Sequence, residues 1–565
     1  MHTFNPEPTV PEIRTPIAII GGGCGGTAAA LAIARNGGYC VITEPTDWLG
    51  GQLTVQAVPP DENRWIEGGD AHNHAPPDFF GGTRAYLQFR NDVRRWYRDN
   101  RPLTPAARAN PRLNPGNGWV SHLCCEPRVA HAVLQAQLAP HIAAGRVRVL
   151  YYAAPTSATT DGDRVTSVTL TNTQTDETIT LLADYFLDAT ELGDLYPLAG
   201  IEYMAGAEHA SDFGELHGRT DHADPLDQQA ISWCFAIEHR PGEDHTIARP
   251  ENYNWWRDYV PQLDHAWPGA LFSWTIVGGD HHEARDFAFI PWPHEPKENE
   301  LEMWRYRRIV DRSIYDDDAA PPDVALINMV QMDYWQKPLL EVTAGEQADA
   351  MAGAREQSLC FLYWMQADAP RFDGKGVGYP GLRLRGDELG TADGFAKRPY
   401  IREPRRLRAR TIVTEAHIGT EQRRLERRPR QSVMAWGMAE PFADSVGIGH
   451  YKLDLHPSTA HRGSLYVQSA PFRIPMGALI PQRVRNVIAA GKAIGVTHIT
   501  NGAYRMHTTE WNNGEAAGLL AFYCVATNTE PAAVHDDLPK IRELQSRLAS
   551  EGIPMSWPWE TREGL

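Results

Sequence analysis

A layered α/β fold organised on a parallel sheet is predicted for this chain, and three observations predict it. A short apolar run, Pro16-Ile17-Ala18-Ile19-Ile20, stops at a cluster of glycines. An alanine-rich stretch with helical spacing, Thr27 to Asn36, comes next and ends at Gly37-Gly38. A second apolar run, Tyr39 to Thr43, follows directly. Runs that are apolar on both faces suit strands buried inside a parallel sheet, and parallel neighbours need a crossover helix between them.

The later elements follow the same logic. Glu126 to Ala144 has helical spacing, Arg146 to Tyr152 is β-branched and aromatic enough for a strand, and Asp161-Gly162 between alternating runs signals a hairpin. Thr178 to Ala189 is a further strand that runs into Asp188-Ala189-Thr190. From Gly200 to Pro475 the texture changes to frequent prolines and crowded tryptophans (Trp255, Trp256, Trp267, Trp274, Trp292, Trp304, Trp335, Trp364), without a second strand–glycine–helix unit. Val487-Ile488-Ala489-Ala490 is again a buried strand, and Asn513 to Val525 a helix. The expected division is a first part over residues 1–199, an inserted region over 200–475, a return to the first domain over 476–530, and a helical tail over 531–565.

Composition limits the function. The chain has 54 basic and 71 acidic residues, a net charge of −17 that repels phosphate backbones and anionic membranes, so nucleic acid and membrane partners are not expected. Seven cysteines with no C-x-x-C pair exclude a disulfide scaffold and a dithiol redox site. The N-terminal residues lack a basic and then apolar leader, and no run of about 18 apolar residues occurs, so a soluble cytoplasmic protein is expected.

Gly21-Gly22-Gly23-Cys24-Gly25-Gly26 satisfies G-x-G-x-x-G at Gly21, Gly23 and Gly26. The glycines serve a tight turn, close approach of the backbone to a pyrophosphate, and close packing of helix on strand, with the helix N-terminus aimed at the phosphates. Glu44 closes the second strand 18 residues beyond Gly26, where its carboxylate can accept both ribose hydroxyls, and an acid there argues against a 2′-phosphate. Gly50, Gly51, Gln52 and Leu53 follow soon after, and this second glycine pair resembles the flavoprotein arrangement in which the backbone approaches the ribityl chain and flavin. No second fingerprint for a nicotinamide dinucleotide is visible.

With these residues, the chain resembles the FAD-dependent oxidoreductases of the glutathione-reductase-like Rossmann class, over residues of about 15 to 525. Four further blocks carry the resemblance: 188–195 (DATELGDL), 400–406 (YIREPRR), 444–449 (DSVGIG) and 486–518. The resemblance implies an α/β fold with a Rossmann-type FAD-binding domain (parallel sheet plus β-meander) and a large inserted α+β substrate region. It implies FAD as cofactor, held also by Ala189, Thr190, Gly491, Asn513 and Gly514, with the last helix N-terminus near the flavin pyrimidine. Glu515 in place of a usual glutamine, and Pro404 in place of a small polar residue, depart from the pattern and make the substrate less transferable.

For the chemistry, dehydrogenation requires a base that titrates near neutrality. The polar segment 497–507 (THITNGAYRMH) offers His498 or His507 as base, and Arg505 and Tyr504 to orient a polar substrate; each histidine equally suits a hydrogen-bonded structural role. Arg402, Glu403, Arg405 and Arg406 suit an ion-pair network tying the inserted region to the FAD domain better than an anion site. Cys124-Cys125 fit buried thiols better than reactive ones. Asp280, His281, His282 and Glu283 fit a loop better than a metal site, and no metal is expected. The tryptophans belong mostly to a core.

The expected activity is dehydrogenation of a small organic molecule at a C–O, C–N or activated C–C bond, with oxygen or another carrier as electron acceptor. A flavin-dependent hydroxylase ranks lower, because Ala490-Gly491-Lys492 stands where a Gly-Asp pair is usual. A structural, non-redox FAD is the third reading. The sequence is silent on oligomeric state.

Overall fold

The computed structural model describes residues 10–68, 76, 78–278, 282–294, 301–316, 320–426 and 438–560. Its first sheet opens with β1 (Glu12–Ile20), whose Ile17, Ala18, Ile19 and Ile20 are all buried. Helix α1 (Cys24–Arg35) crosses to β2 (Cys40–Glu44), which pairs parallel to β1 with Ile17 opposite Cys40 and Ile19 opposite Ile42. After α2 (Arg84–Asn100) and α3 (Pro127–Ala143), β3 (Val147–Tyr151) extends the parallel edge beside β2.

The chain then turns antiparallel. β4 (Ala153–Asp161) and β5 (Arg164–Asn172) form a hairpin whose turn residue Gly162 has φ +56°, a conformation that favours glycine. β6 (Thr178–Asp188) returns to the centre, parallel to β1, with Ile20 opposite Asp188. Its first half pairs with β5 and its last residues pair with β11 (Val487–Ala489), parallel, Val487 opposite Phe186. A segment some 300 residues farther along thus completes the sheet, at the end where α1 begins.

The inserted region carries a four-stranded antiparallel sheet in the order β8-β9-β7-β10, from β7 (Phe235–His239), β8 (Arg308–Val310), β9 (Val324–Ile327) and β10 (Leu382–Leu384). Helix α4 (Ala344–Ala367) starts at a capping box in which Thr343 accepts from Glu346 N and Glu346 accepts from Thr343 N. Around it lies a second core rich in aromatics: Trp256, Trp274, Trp304, Trp335 and Trp364 are buried, with Trp274 stacked on Phe289 at 4.8 Å between ring centroids.

Two helices close the nucleotide half: α5 (His498–Tyr504) and α6 (His507–Thr527). The last helix therefore begins six residues earlier than its spacing predicts, and the polar segment before it is itself a helix rather than a loop. Thr497 caps α5 by accepting from Thr500 N, which the run of threonine, asparagine and glycine concealed. α6 crosses α1 at glycine and alanine: a Cβ on Gly514 would meet Gly25 O at 1.9 Å, and one on Gly518 would meet Ala29 O at 2.8 Å. Helix α7 (Leu538–Ser550) follows. Among the described residues, no helix is long and apolar enough to cross a membrane.

Candidate active site

The turn between β1 and α1 forms one wall of a cavity of about 330 Å³, completed by the ends of β2 and β6, the start of β4, Gln347 and Met351 of α4, and Arg398, Pro399 and Ile401. Gly21, Gly22, Gly23, Glu44, Gly51, Ala189 and Thr190 line it. Gly21 has φ +104°, and a Cβ there would sit 2.3 Å from Ala189 O. A Cβ on Gly22 would sit 2.7 Å from Glu44 Oε2, so the turn and the acid at the end of β2 lie side by side on the cavity wall. Glu44 Oε1 accepts from Thr46 N (2.8 Å) and Thr46 Oγ1 (2.7 Å); burial nevertheless pushes its carboxyl up to about 7.

Other residues of the fingerprint pack rather than line. A Cβ on Gly25 would meet Ala490 O at 2.0 Å, and one on Gly26 would meet Gly21 O at 2.1 Å. Cys24 is buried, with its thiol toward His507 O, and burial and two nearby glutamates hold it well above the ordinary thiol range. Gly50 (φ +110°) donates from N to Gly22 O at 2.8 Å, tying the second glycine pair to the first; Leu53 is core. Gly514 lies in the α1–α6 crossing, and Asn513 Nδ2 donates to Gly491 O at 3.1 Å. Thr190 Oγ1 donates to Asp188 Oδ1 (2.7 Å) and accepts from Asp194 N (2.7 Å), so that hydroxyl shapes the loop after β6.

Between this cavity and the interior stands a group of charges that sequence reasoning did not single out. Lys492 is buried and donates to Glu191 Oε2 (2.5 Å) and Ile401 O (2.7 Å). Gln52 Nε2 donates to Arg505 O at 3.0 Å and to Glu510, whose other oxygen accepts from Gly25 N at 3.3 Å. Burial, with Glu191 nearby, pushes Glu510 up to about 7. Gln52 Oε1, Gln56 Nε2, Glu191 Oε1, Asn501 Oδ1 and Asn513 Oδ1 are buried without a hydrogen-bond partner. A buried polar group without a partner costs about 1–3 kcal/mol, and of these Gln56 and Glu191 line the cavity, where a polar ligand can satisfy them.

A second cavity, of about 360 Å³, lies across the strip 400–402: Ile401 lines the first cavity, while Tyr400 and Arg402 line the second. Its wall holds His456, which sequence reasoning passed over. His456 Nδ1 lies 2.6 Å from Asp333 Oδ2, and Asp333 Oδ1 accepts from Ser232 Oγ (2.6 Å) and pairs with Arg402 Nη2 (2.9 Å). The Arg402 guanidinium and His456 hold Asp333 down at about 2 in spite of its burial. A carboxylate there can only accept, so His456 Nδ1 carries a proton toward it, and Nε2 is left as the basic nitrogen, 4.0 Å from Asp454 Oδ2.

Of the four residues expected to do chemistry, Arg505 lines this cavity and the other three line neither. Arg505 Nη1 donates to Tyr400 Oη at 2.6 Å, and Nη2 to Asp454 O at 3.0 Å. His498 has both ring nitrogens engaged: Nε2 accepts from Arg462 Nη2 (2.9 Å), which leaves Nδ1–H to donate to Glu403 Oε1 (2.8 Å). His507 opens α6, its Nδ1 accepting from Asp61 N at 3.0 Å, and burial lowers it to about 3. Tyr504 donates to Arg473 O at 2.9 Å and stacks on Phe472. Helical periodicity, invisible in the segment's composition, turns these groups inward.

The remaining candidates also find places. Arg406 pairs with Glu403 and Glu208, Arg405 with Glu341 and Asp194, which is a network joining the inserted region to the loop after β6. Glu515 is buried against Arg35 (2.7 Å) and Trp511 Nε1 (3.1 Å), away from both cavities. Burial pushes the Cys124 thiol up to about 12 and Cys125 higher still. His282 stacks on His265; Asp280 and His281 lie outside the described residues, among which no cluster of three metal-ligating side chains occurs.

The family described as FAD dependent oxidoreductase matches residues 16–548, nearly the whole chain, and the chain belongs to that family. FAD is accordingly its cofactor. No curated protein matches the chain. Solved structures similar to it include L-proline dehydrogenase from P. horikoshii (14% identity, covering 37% of this chain and 27% of that one, TM-score 0.17). They also include the FAD complex of glycerol-3-phosphate dehydrogenase from Bacillus halodurans (13%, covering 40% of each, TM-score 0.21). A third is p-nitrophenol 4-monooxygenase from Pseudomonas putida (12%, covering 41% and 48%, TM-score 0.23). The matched stretch is less than half of each of these proteins.

Proposed function

We propose that this member of the FAD dependent oxidoreductase family dehydrogenates a small organic substrate bound in the second cavity, with His456 as the base. The observation that carries the reading is the Asp333–His456 pair on the wall of a cavity that shares the strip 400–402 with the FAD cradle. Bound FAD supplies a two-electron acceptor, and oxygen or another carrier reoxidises it.

The chain's own residues then have defined tasks. Gly21, Gly22 and Gly23 let the backbone approach the pyrophosphate, and Glu44 receives ribose hydroxyls. Gln52 and Asn513 each keep a buried oxygen without a hydrogen-bond partner that polar atoms of the bound cofactor would satisfy. Asp333, fixed by Ser232 and Arg402, holds the His456 ring in one tautomer, so that Nε2 takes a proton from the substrate's hydroxyl or amine. Tyr400 and Arg505, bonded to each other, hold the substrate's polar end, and the aromatic lining excludes water.

The test is anaerobic mixing of the FAD-loaded protein with alcohols, amines and their acid derivatives while the flavin absorption is followed. Bleaching by one class, slowed in His456→Gln without loss of bound FAD, supports the reading. Unchanged bleaching in His456→Gln refutes the assignment of the base.

A further inference from the structure

Besides Arg285, three arginines from separate segments line the second cavity: Arg307 just before β8, Arg402 on the strip, and Arg505 between α5 and α6. Two are answered by carboxylates. Arg402 pairs with Asp333 at 2.9 Å, and Arg505 reaches Asp454 Oδ2 at 3.4 Å besides its bonds to Tyr400 and to Asp454 O. Arg307 is not answered in the same way. Its nearest carboxylate oxygen, Asp61 Oδ2, is 4.0 Å from Nη2, beyond hydrogen-bond reach. Only 11% of its side-chain surface is exposed, and its guanidinium stands 4.8 Å over the Tyr306 ring.

A cation so placed has lost most of its water without gaining a hydrogen-bonded anion, an arrangement that is costly unless a ligand completes it. The guanidinium fork matches a carboxylate by two parallel bonds. The other lining side chains set the rest of the ligand's shape. Trp119, Phe287, Met303 and Met329 are apolar, and Tyr451 and Tyr466 are aromatic. Asp61 is itself buried near Arg307, Arg402 and Arg505, so its charge is shared among them, and its distance from Arg307 leaves that guanidinium without a hydrogen-bonded anion.

We infer that Arg307 anchors a carboxylate of the substrate, and that the substrate is therefore a small carboxylic acid with an apolar or aromatic body. The inference rests on the second cavity being the substrate site. Its size, about 360 Å³, suits one ring or a short branched chain rather than a polymer.

The experiment is titration of the FAD-loaded protein with benzoate and with its neutral isostere benzamide, followed by calorimetry and by the flavin absorption spectrum. Benzoate is expected to bind saturably and benzamide about 10- to 100-fold more weakly, the equivalent of losing charge-assisted hydrogen bonds. Arg307→Lys and Arg307→Gln should weaken benzoate by a similar factor while leaving FAD content and benzamide affinity unchanged; Arg307→Lys retains the charge and guards against a folding defect. Equal binding of the two probes, no saturable benzoate binding, or benzoate affinity indifferent to both variants overturns the anchor. Arg307-dependent binding that leaves the flavin spectrum untouched keeps the anion site and overturns the substrate-cavity reading instead.

Discussion

Replacing Gly514 by alanine tests the geometry on which the cofactor site depends. A Cβ at this position would lie 1.9 Å from Gly25 O, 2.5 Å from Gly25 C and 2.6 Å from Gly25 Cα. A carbon needs about 3.5 Å from such atoms, so the two helices must part by about 1.5 Å. The obstructing atoms are all backbone, and no side chain can swing aside. Overpacking of this kind costs about 1–3 kcal/mol, and the upper end applies where two helix backbones collide. The better helix propensity of alanine returns only about 1 kcal/mol. The net expectation is a loss of about 2 kcal/mol. Because Gly25 lies two residues beyond Gly23, the displacement also widens the cradle and should weaken FAD. The assay is urea unfolding of the FAD-free protein together with FAD titration by quenching of flavin fluorescence. Gly269→Ala is the control, since a Cβ there meets nothing within 4 Å. If Gly514→Ala is as stable as Gly269→Ala and binds FAD like the parent protein, the close α1–α6 crossing is not what positions the glycine turn.

The remaining expectations concern charge and reactivity. Asp333→Asn should lower the rate of flavin bleaching by about 10²–10⁴, as His456→Gln should, since each removes one half of the base; rapid-mixing absorbance measures both, and a full-rate Asp333→Asn variant refutes the orienting role. Burial raises Glu44 from its ordinary value to about 7, so the folded, FAD-free protein holds that proton where the unfolded chain has lost it. The stability contributed by this carboxyl is therefore present below about 4.5, falls as pH rises to 7, and is level above that. Glu44→Gln, free of this penalty, should gain on the parent by about 3 kcal/mol across that window, and a gap independent of pH in denaturation curves contradicts it. Cys124 and Cys125, buried and with thiols raised to about 12 or beyond, should resist alkylation at neutral pH until the chain is unfolded, as mass spectrometry of iodoacetamide-treated protein would show.

What the sequence makes legible follows from the range of the interactions involved. β1, α1 and β2 are visible because their signals are local: apolar runs of β-branched residues, alanines at helical spacing, and glycines at the turn. Helix α2 was passed over although Ala85, Tyr86, Phe89, Val93 and Tyr97 of its buried face have helical spacing; Arg90 and Arg94, interleaved with them and buried against Glu62 and Glu67, make the stretch read as polar. The Asp333–His456 pair of the second cavity was hidden for a different reason. Asp333 and His456 are 123 residues apart, each in a stretch with no periodic pattern, and only the packing of the inserted region brings them within 2.6 Å. The segment 497–507 misled in the opposite direction. Its polar composition suits an active-site loop, yet a capped helix directs His498 and Tyr504 into structural hydrogen bonds.

The two halves of the site are fixed by different kinds of contact, and this bears on how each can change. The cradle is set by backbone against backbone: Gly21 on Ala189, Gly25 on Ala490, Gly26 on Gly21 and Gly514 on Gly25, where any side chain collides. Such contacts do not depend on what the inserted region contains. The second cavity is set by side chains on at least four segments, with Arg307, Arg402, His456 and Arg505 each delivered separately. Substitutions there can alter the bound molecule without disturbing the cofactor, which is how one fold comes to host many reactions. The strip 400–402 is where the two halves meet. Ile401 O receives Lys492 on the cradle side, while Tyr400 and Arg402 line the second cavity. A change at Ile401 should therefore disturb both FAD and ligand binding, whereas a change at Arg307 should disturb ligand binding alone.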